Sequence, residues 1–141
     1  VDPVSGQAQF FKAGAALSLL YRAKKMKEIK GTALPLGILQ DTEISPHTEQ
    51  LTPDDILILV SDGVTDTFPV DAICPLLNRY AEEGAAEIAF ALCSAISTAL
   101  KTPCDDITIL IVKIEKNNAE KQKSPLFKSG DFCRSVHKKY E

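Results

Sequence analysis

Two acidic positions stand at the ends of the two most apolar stretches of the chain. Asp62 directly follows Ile56-Leu57-Ile58-Leu59-Val60, within Ser61-Asp62-Gly63. Asp105 precedes Ile107-Thr108-Ile109-Leu110-Ile111-Val112, within Pro103-Cys104-Asp105-Asp106. If both apolar runs are strands and pair antiparallel, the two carboxylates meet at one edge of a sheet. Like charges held that close raise one another's pKa unless a cation lies between them. Hard divalent cations such as Mg²⁺ or Mn²⁺ prefer oxygen ligands of this kind. Gly63 adds a reason of its own, because a residue without Cβ lets the backbone turn sharply or approach a ligand closely. A plainer reading stands beside this one: Asp-Gly after a strand is a common turn, and Asp105 could simply cap a turn. Geometry separates the two readings. Antiparallel pairing puts the carboxylates within roughly 3–6 Å, the span of a shared cation. A parallel pair would hold them more than about 15 Å apart.

The other reactive side chains form no pattern. Cys74, Cys93, Cys104 and Cys133 contain no C-x-x-C pair, and neither His47 nor His137 lies near a cysteine in sequence. Zinc-ligand spacing is therefore absent. Cys93 falls in an apolar helical stretch, where a free thiol behaves as a small hydrophobe. Unpaired cysteines point to a reducing, cytoplasmic setting.

The elements that must position Asp62 and Asp105 are readable. Gln7–Lys12 and Leu17–Arg22 read as strands, with Ala13-Gly14-Ala15-Ala16 as the bend between them. Lys24-Lys25-Met26-Lys27 suits an exposed hairpin tip. Leu34–Leu39, broken by Pro35 and Gly37, reads as a buried, irregular crossing. Thr42–Gln50 reads as extended, with Pro46 confining it to an edge or bulge. The run 56–60 lacks alternation, which predicts a strand covered on both faces. Val70–Glu83 and Glu87–Leu100 read as helices, the second with Ile88, Leu92, Ile96 and Ala99 at helical spacing. Strands first, then helices, then a strand favour an α+β layered fold over an alternating parallel one.

Composition sets the outer limits. The 141 residues suffice for one domain, and 45% hydrophobic with 25% charged residues excludes a wholly disordered chain. No apolar stretch approaches the roughly 18 residues that cross a bilayer, and no signal-peptide pattern opens the chain. A net charge of −3 argues against nucleic-acid binding. The charge is uneven: residues 1–112 hold 8 Lys/Arg against 15 Asp/Glu, whereas residues 113–141 hold 8 against 4. That break predicts a boundary near residue 115, with 116–141 as a basic, flexible tail. A docking or membrane-surface segment is the other reading of the tail. Starting at Val1-Asp2-Pro3 without Met, the chain reads as a piece of something longer or a processed product.

The motifs resemble a family. Ser61-Asp62-Gly63-Val64 is similar to the "SDG" motif of the PPM-type, metal-dependent protein serine/threonine phosphatases, the protein phosphatase 2C superfamily. Asp105-Asp106-Ile107-Thr108 is similar to their "D-D/N-M-T" motif, with Ile107 in place of Met. Phe11-Lys12-Ala13-Gly14-Ala15-Ala16 and Leu34-Pro35-Leu36-Gly37-Ile38 resemble "F-x-K-x-G-A-x-P-S" and "L-P-x-G-I" of the stage II sporulation protein E family and its bacterial stress-response relatives. The likeness covers roughly residues 1–115. Two departures are structural: Leu17 stands where Pro is usual, and Asp54 where Gly commonly precedes the Asp of the strand-opening turn.

The resemblance implies a layered β-sandwich with flanking helices, of which residues 1–115 would be the C-terminal part. It implies two Mn²⁺ or Mg²⁺ ions activating a water for in-line attack on phosphoserine or phosphothreonine. Asp62 and Asp105 would be metal ligands, with Gly63, Asp106 and Thr108 supporting them. Asp106 would orient its neighbours or a metal-bound water. Thr108 could hydrogen-bond in the turn, although a Thr at a strand start needs no function. The family's "D-G-M-G" Asp, which bridges the metals, has no counterpart here, so residues 1–141 by themselves are expected to be inactive. The implied substrate is a phosphorylated anti-sigma-factor antagonist, in control of sporulation or stress transcription. The implied parent is membrane-tethered through upstream residues, with this domain in the cytoplasm. A catalytically silent PPM-like binding module is the alternative, and a metal-free α+β domain a third.

Overall fold

Strand β5 (Ile56–Val60) runs through the middle of the molecule, and its side chains explain the layers on either side. Alternate residues of a strand point to opposite faces. Ile56, Ile58 and Val60 therefore join one buried cluster, and Leu57 joins a second on the other face, with Leu59 packed against it. Burial on both sides is why the run shows no polar alternation. The computed structural model describes residues 1–2, 4–31, 34–38, 44–99 and 106–115.

Four strands form the main sheet. Ser18–Arg22 (β2) pairs antiparallel with β5 on one side, and Ile109–Lys113 (β6) pairs antiparallel on the other. Lys25–Glu28 (β3) closes the far edge, giving the order β3-β2-β5-β6. Gln7–Phe10 (β1) and His47–Gln50 (β4) form a separate antiparallel pair. The fold is thus an α+β sandwich: a two-stranded sheet, a four-stranded sheet, and helices. Ala8, Leu20, Ile29, Leu51 and Leu57 fill the space between the sheets.

The helical layer comprises Asp62–Thr67 (α1), Val70–Tyr80 (α2) and Ala85–Ala99 (α3). Val64 and Phe68, Ile73 and Leu77, and Ile88, Leu92 and Ile96 recur at intervals of four, so one face of each segment meets the sheet. The Tyr21 hydroxyl donates to Asn78 Oδ1 at 2.7 Å, tying β2 to α2. Lys113 Nζ donates to the carbonyls of Ala81 and Glu83, fixing the α2–α3 loop to the end of β6.

Several expectations need correction. Leu34, Leu36 and Ile38 are 51–69% exposed, so this stretch is irregular but not buried. The Pro35–Ile38 turn faces their side chains outward, while Pro35 itself stops against Gly14. Gly14 has φ +62°, and a Cβ there would come within 2.5 Å of Pro35 Cγ. The run 24–27 is not all hairpin tip: Ala23 and Lys24 make the turn, and Lys25–Glu28 is an edge strand whose lysines stay in water. Ala99, at the last position of α3, is exposed, whereas Ile88, Leu92 and Ile96 are buried. Asp62-Gly63, a turn on the plainer reading, instead opens α1, which runs over residues 62–67. The tail 116–141 lies outside the described residues.

Candidate metal centre

The antiparallel register of β5 with β6, Val60 opposite Ile109, carries the two chains onward past one another. Ser61 therefore lies beside Thr108, and the pairing continues one step: the Ser61 N–H donates to the Thr108 carbonyl at 3.0 Å. The Ser61 hydroxyl joins the same two segments. It donates to the Asp106 carbonyl at 2.9 Å and accepts from the Thr108 N–H at 3.0 Å. The approach to β6 is thus tied to the residue immediately before Asp62.

Asp62 opens α1 and is exposed to solvent. Its Oδ1 accepts from the Gly63 N–H at 3.0 Å. A carboxylate in the first turn also suits the positive end of a helix. Asp106 is exposed at the same edge of the sheet, and Thr108 is half-buried where β6 begins. Asp105 lies outside the described residues, as do Cys104, Cys133 and His137. Gly63 is buried within the first turn of α1 and has no left-handed backbone, so the sharp turn that its lack of a Cβ would allow is not made there.

Exposed carboxylates at one sheet edge are the hard oxygen donors that a divalent cation takes. Among the described residues, no three of His, Cys, Asp and Glu stand close enough together to hold a metal ion. The donor chemistry fits and the donor count is partial. His47 is engaged elsewhere, 2.6 Å from Glu49, and Cys74 and Cys93 are free thiols.

The opposite end of β5 is held by charge. Asp55 is 1% exposed and takes two hydrogen bonds from Arg22, Nε to Oδ1 at 2.8 Å and Nη2 to Oδ2 at 2.5 Å. The Thr52 N–H donates to Asp55 Oδ2 at 2.7 Å. Burial pushes the Asp55 carboxyl up, but the Arg22 and Thr52 hydrogen bonds outweigh it and hold the group below the usual carboxylate range. Next to it, Asp54 has φ +72°, a backbone for which glycine is the ordinary choice. That geometry accounts for the glycine that the resembling family prefers at this position.

A family model for stage II sporulation protein E (SpoIIE) matches residues 1–115. The chain belongs to the SpoIIE family. Stage II sporulation protein E of Priestia megaterium is 34% identical over 64 residues, 45% of this chain and 11% of that protein. Its counterpart in Bacillus subtilis (strain 168) is 30% identical over 64 residues, 45% of this chain and 8% of that protein. The matched stretch thus spans about a tenth of these SpoIIE proteins. Among solved structures, the phosphatase domain of SpoIIE from Bacillus subtilis, presoaked with Mn, superposes with a TM-score of 0.69. The identity there is 23%, over 89% of this chain and 58% of that one. The Mycobacterium tuberculosis serine/threonine phosphatase PstP/Ppp gives 0.63 at 15% identity, over 79% of this chain and 56% of that one. The fold is that of these phosphatase domains.

Sequence reasoning passed over Ser61. It was legible as the first residue of the Ser61-Asp62-Gly63 motif, but nothing there gave its hydroxyl a task. The partners that reveal its use lie 45 and 47 residues away.

Proposed function

We propose that the chain is part of a metal-dependent protein serine/threonine phosphatase. The observation that supports this best is the antiparallel β5–β6 register, which gathers the Asp62 and Asp106 ends at one exposed edge of a SpoIIE-type fold. Asp62 and Asp105 would hold a Mn²⁺ or Mg²⁺ ion, with donors from elsewhere in the protein completing the shell. A bound divalent cation supplies Lewis acidity and a water activated for attack at phosphorus. The chain's own residues do the rest. α1 and β6 fix where the carboxylates stand, and Asp106 and Thr108 carry the backbone groups that Ser61 holds.

The substrate in this reading is a phosphoserine or phosphothreonine on a small regulatory protein, an anti-sigma-factor antagonist, reached from the cytoplasmic side of a membrane-tethered parent. The test uses the full-length protein. Phosphate release from a phosphoserine peptide is measured with added Mn²⁺, with EDTA, and in Asp62→Asn and Asp105→Asn variants. Release that needs Mn²⁺ and is lost in both variants supports the reading. Binding of the phosphoprotein without hydrolysis at any Mn²⁺ concentration would establish the silent binding module instead.

A further inference from the structure

Ser61 occupies the N-cap position of α1, with φ −76° and ψ 166°, yet its side chain makes no capping hydrogen bond. A serine at that position ordinarily turns its oxygen onto the N–H groups of the first turn, a contact worth about 1 kcal/mol. Here the hydroxyl has left the helix and faces the neighbouring segment. It uses both its functions there, donating to the Asp106 carbonyl and accepting from the Thr108 N–H. With the backbone bond from the Ser61 N–H to the Thr108 carbonyl, three hydrogen bonds join Ser61 to the segment that leads into β6. Asp62 is the next residue on one side of this knot. Asp106 lies on the other.

We infer that Ser61 is a positioning residue that fixes Asp62 relative to Asp106 and the approach to β6. The inference rests on the metal-dependent phosphatase reading. The physical reason is one of reach. Asp62 is held by α1 and Asp106 by the approach to β6, and these are separate pieces of chain. Donors on two segments bind one cation well only if the segments keep their spacing before the ion arrives, since ordering them afterwards detracts from affinity. Groups that orient metal ligands through hydrogen bonds typically contribute 10–100-fold to affinity or activity. The Ser61 hydroxyl bridges these two segments at their closest approach. Ser61→Ala removes the bridge and leaves the β5–β6 ladder from Val60 to Ile56 intact, so the variant should fold.

The experiment compares the full-length wild type with Ser61→Ala, Ser61→Gly, Ser61→Thr and Asp62→Asn. Mn²⁺ binding is followed by electron paramagnetic resonance without substrate, alongside kcat at saturating Mn²⁺ and circular dichroism. Ser61→Ala and Ser61→Gly should each weaken Mn²⁺ binding about tenfold, with kcat at saturating Mn²⁺ changing only a few-fold. Ser61→Thr should restore the affinity, because threonine can donate and accept at the same place. Glycine is an adequate N-cap, so a role confined to capping α1 would leave Ser61→Gly near wild type. That result, or Mn²⁺ binding by Ser61→Ala within twofold of wild type, overturns the inference. If wild type shows no Mn²⁺ binding that Asp62→Asn removes, the phosphatase reading itself fails and takes this inference with it. The two failures are distinguished by the wild type and Asp62→Asn measurements.

Discussion

Replacing Arg22 by methionine should destabilise the fold more than replacing its partner Asp55 by alanine. The two side chains sit in unequal surroundings: Asp55 is 1% exposed, and Arg22 is 41% exposed. Without Arg22, a buried carboxylate keeps only the Thr52 N–H at 2.7 Å and the Thr52 hydroxyl at 3.2 Å. Breaking a buried ion pair from one side costs about 3–5 kcal/mol, because the remaining charge is left uncompensated. Water can enter along the exposed guanidinium's path, and Thr52 still donates, so about 2–3 kcal/mol is the expectation here. Arg22 Nη2 also donates to the Gln50 carbonyl at 2.7 Å, so the same substitution loosens β2 from the end of β4. Without Asp55, by contrast, Arg22 returns to solvent and the Thr52 N–H loses an acceptor, a cost of about 1–2 kcal/mol.

The pH dependence has a definite sign. Asp55 is held below the usual carboxylate range in the folded protein. Its contribution to stability is therefore complete above the unfolded value, about pH 4, and is lost as pH falls through the folded value. In Arg22→Met burial acts without its main counterweight, so Asp55 takes up its proton at a higher pH than in wild type. The stability gap between the two proteins should then be widest near pH 7 and narrow steadily in acid. Urea unfolding at pH 7, 5 and 4 measures this, with the double variant closing the cycle. The double variant should lose less than the two single losses combined, because removing both partners leaves no orphaned charge. A cost for Arg22→Met below about 0.5 kcal/mol, or a gap that does not change with pH, would refute the reasoning.

Three further outcomes are expected. Asp62→Asn and Asp105→Asn should each abolish Mn²⁺-dependent phosphate release by the full-length protein, with the metal-free Tm held within a few degrees or raised as carboxylate repulsion is relieved. Asp54→Gly should be neutral or stabilising by up to about 1 kcal/mol, and Asp54→Val should cost more than about 1 kcal/mol, since φ +72° suits glycine and strains a β-branched residue. Ile58→Ala, at a side chain with no exposure packed between sheet and helices, should cost about 2–5 kcal/mol by chemical denaturation, against a change within about 0.5 kcal/mol for Lys25→Ala on the exposed edge.

The elements flanking the candidate site were legible because each advertises itself over a few consecutive residues. Ile56–Val60 and Ile107–Val112 are short, β-branched and bounded by acidic turns, a pattern that favours a covered strand, and the second strand runs over Ile109–Lys113, two residues later at its start. Of the two pairings that the sequence left open, the structure contains the antiparallel one. α3 carries Ile88, Leu92 and Ile96 at strict intervals of four, and all three are buried. α1 was not legible: six residues give a single repeat, Val64 to Phe68, and Ser-Asp-Gly ordinarily signals a turn. Leu34, Leu36 and Ile38 misled for the opposite reason, since apolar composition states a preference for burial and says nothing of whether a partner surface is there to provide it.

What remained out of reach in the sequence is the polar framework of β5, and the reason is distance along the chain. The strand is secured at its start by Arg22, 33 residues before Asp55, and at its end through Ser61, 45 and 47 residues from its partners. Hydrophobic periodicity reports the environment of a residue one face at a time, whereas a hydrogen bond of this kind needs two segments to be placed first. Only after β2, β5 and β6 are paired does Arg22 reach Asp55 and does the Ser61 hydroxyl reach Asp106. The apolar pattern therefore determines where β5 runs, and the polar contacts at its two ends then determine how firmly its register is kept. Moving a strand by one residue exchanges its faces. For β5 that slip would also part Asp55 from Arg22 and Ser61 from Thr108, so the same contacts that fix the register hold Asp62 beside the approach to β6.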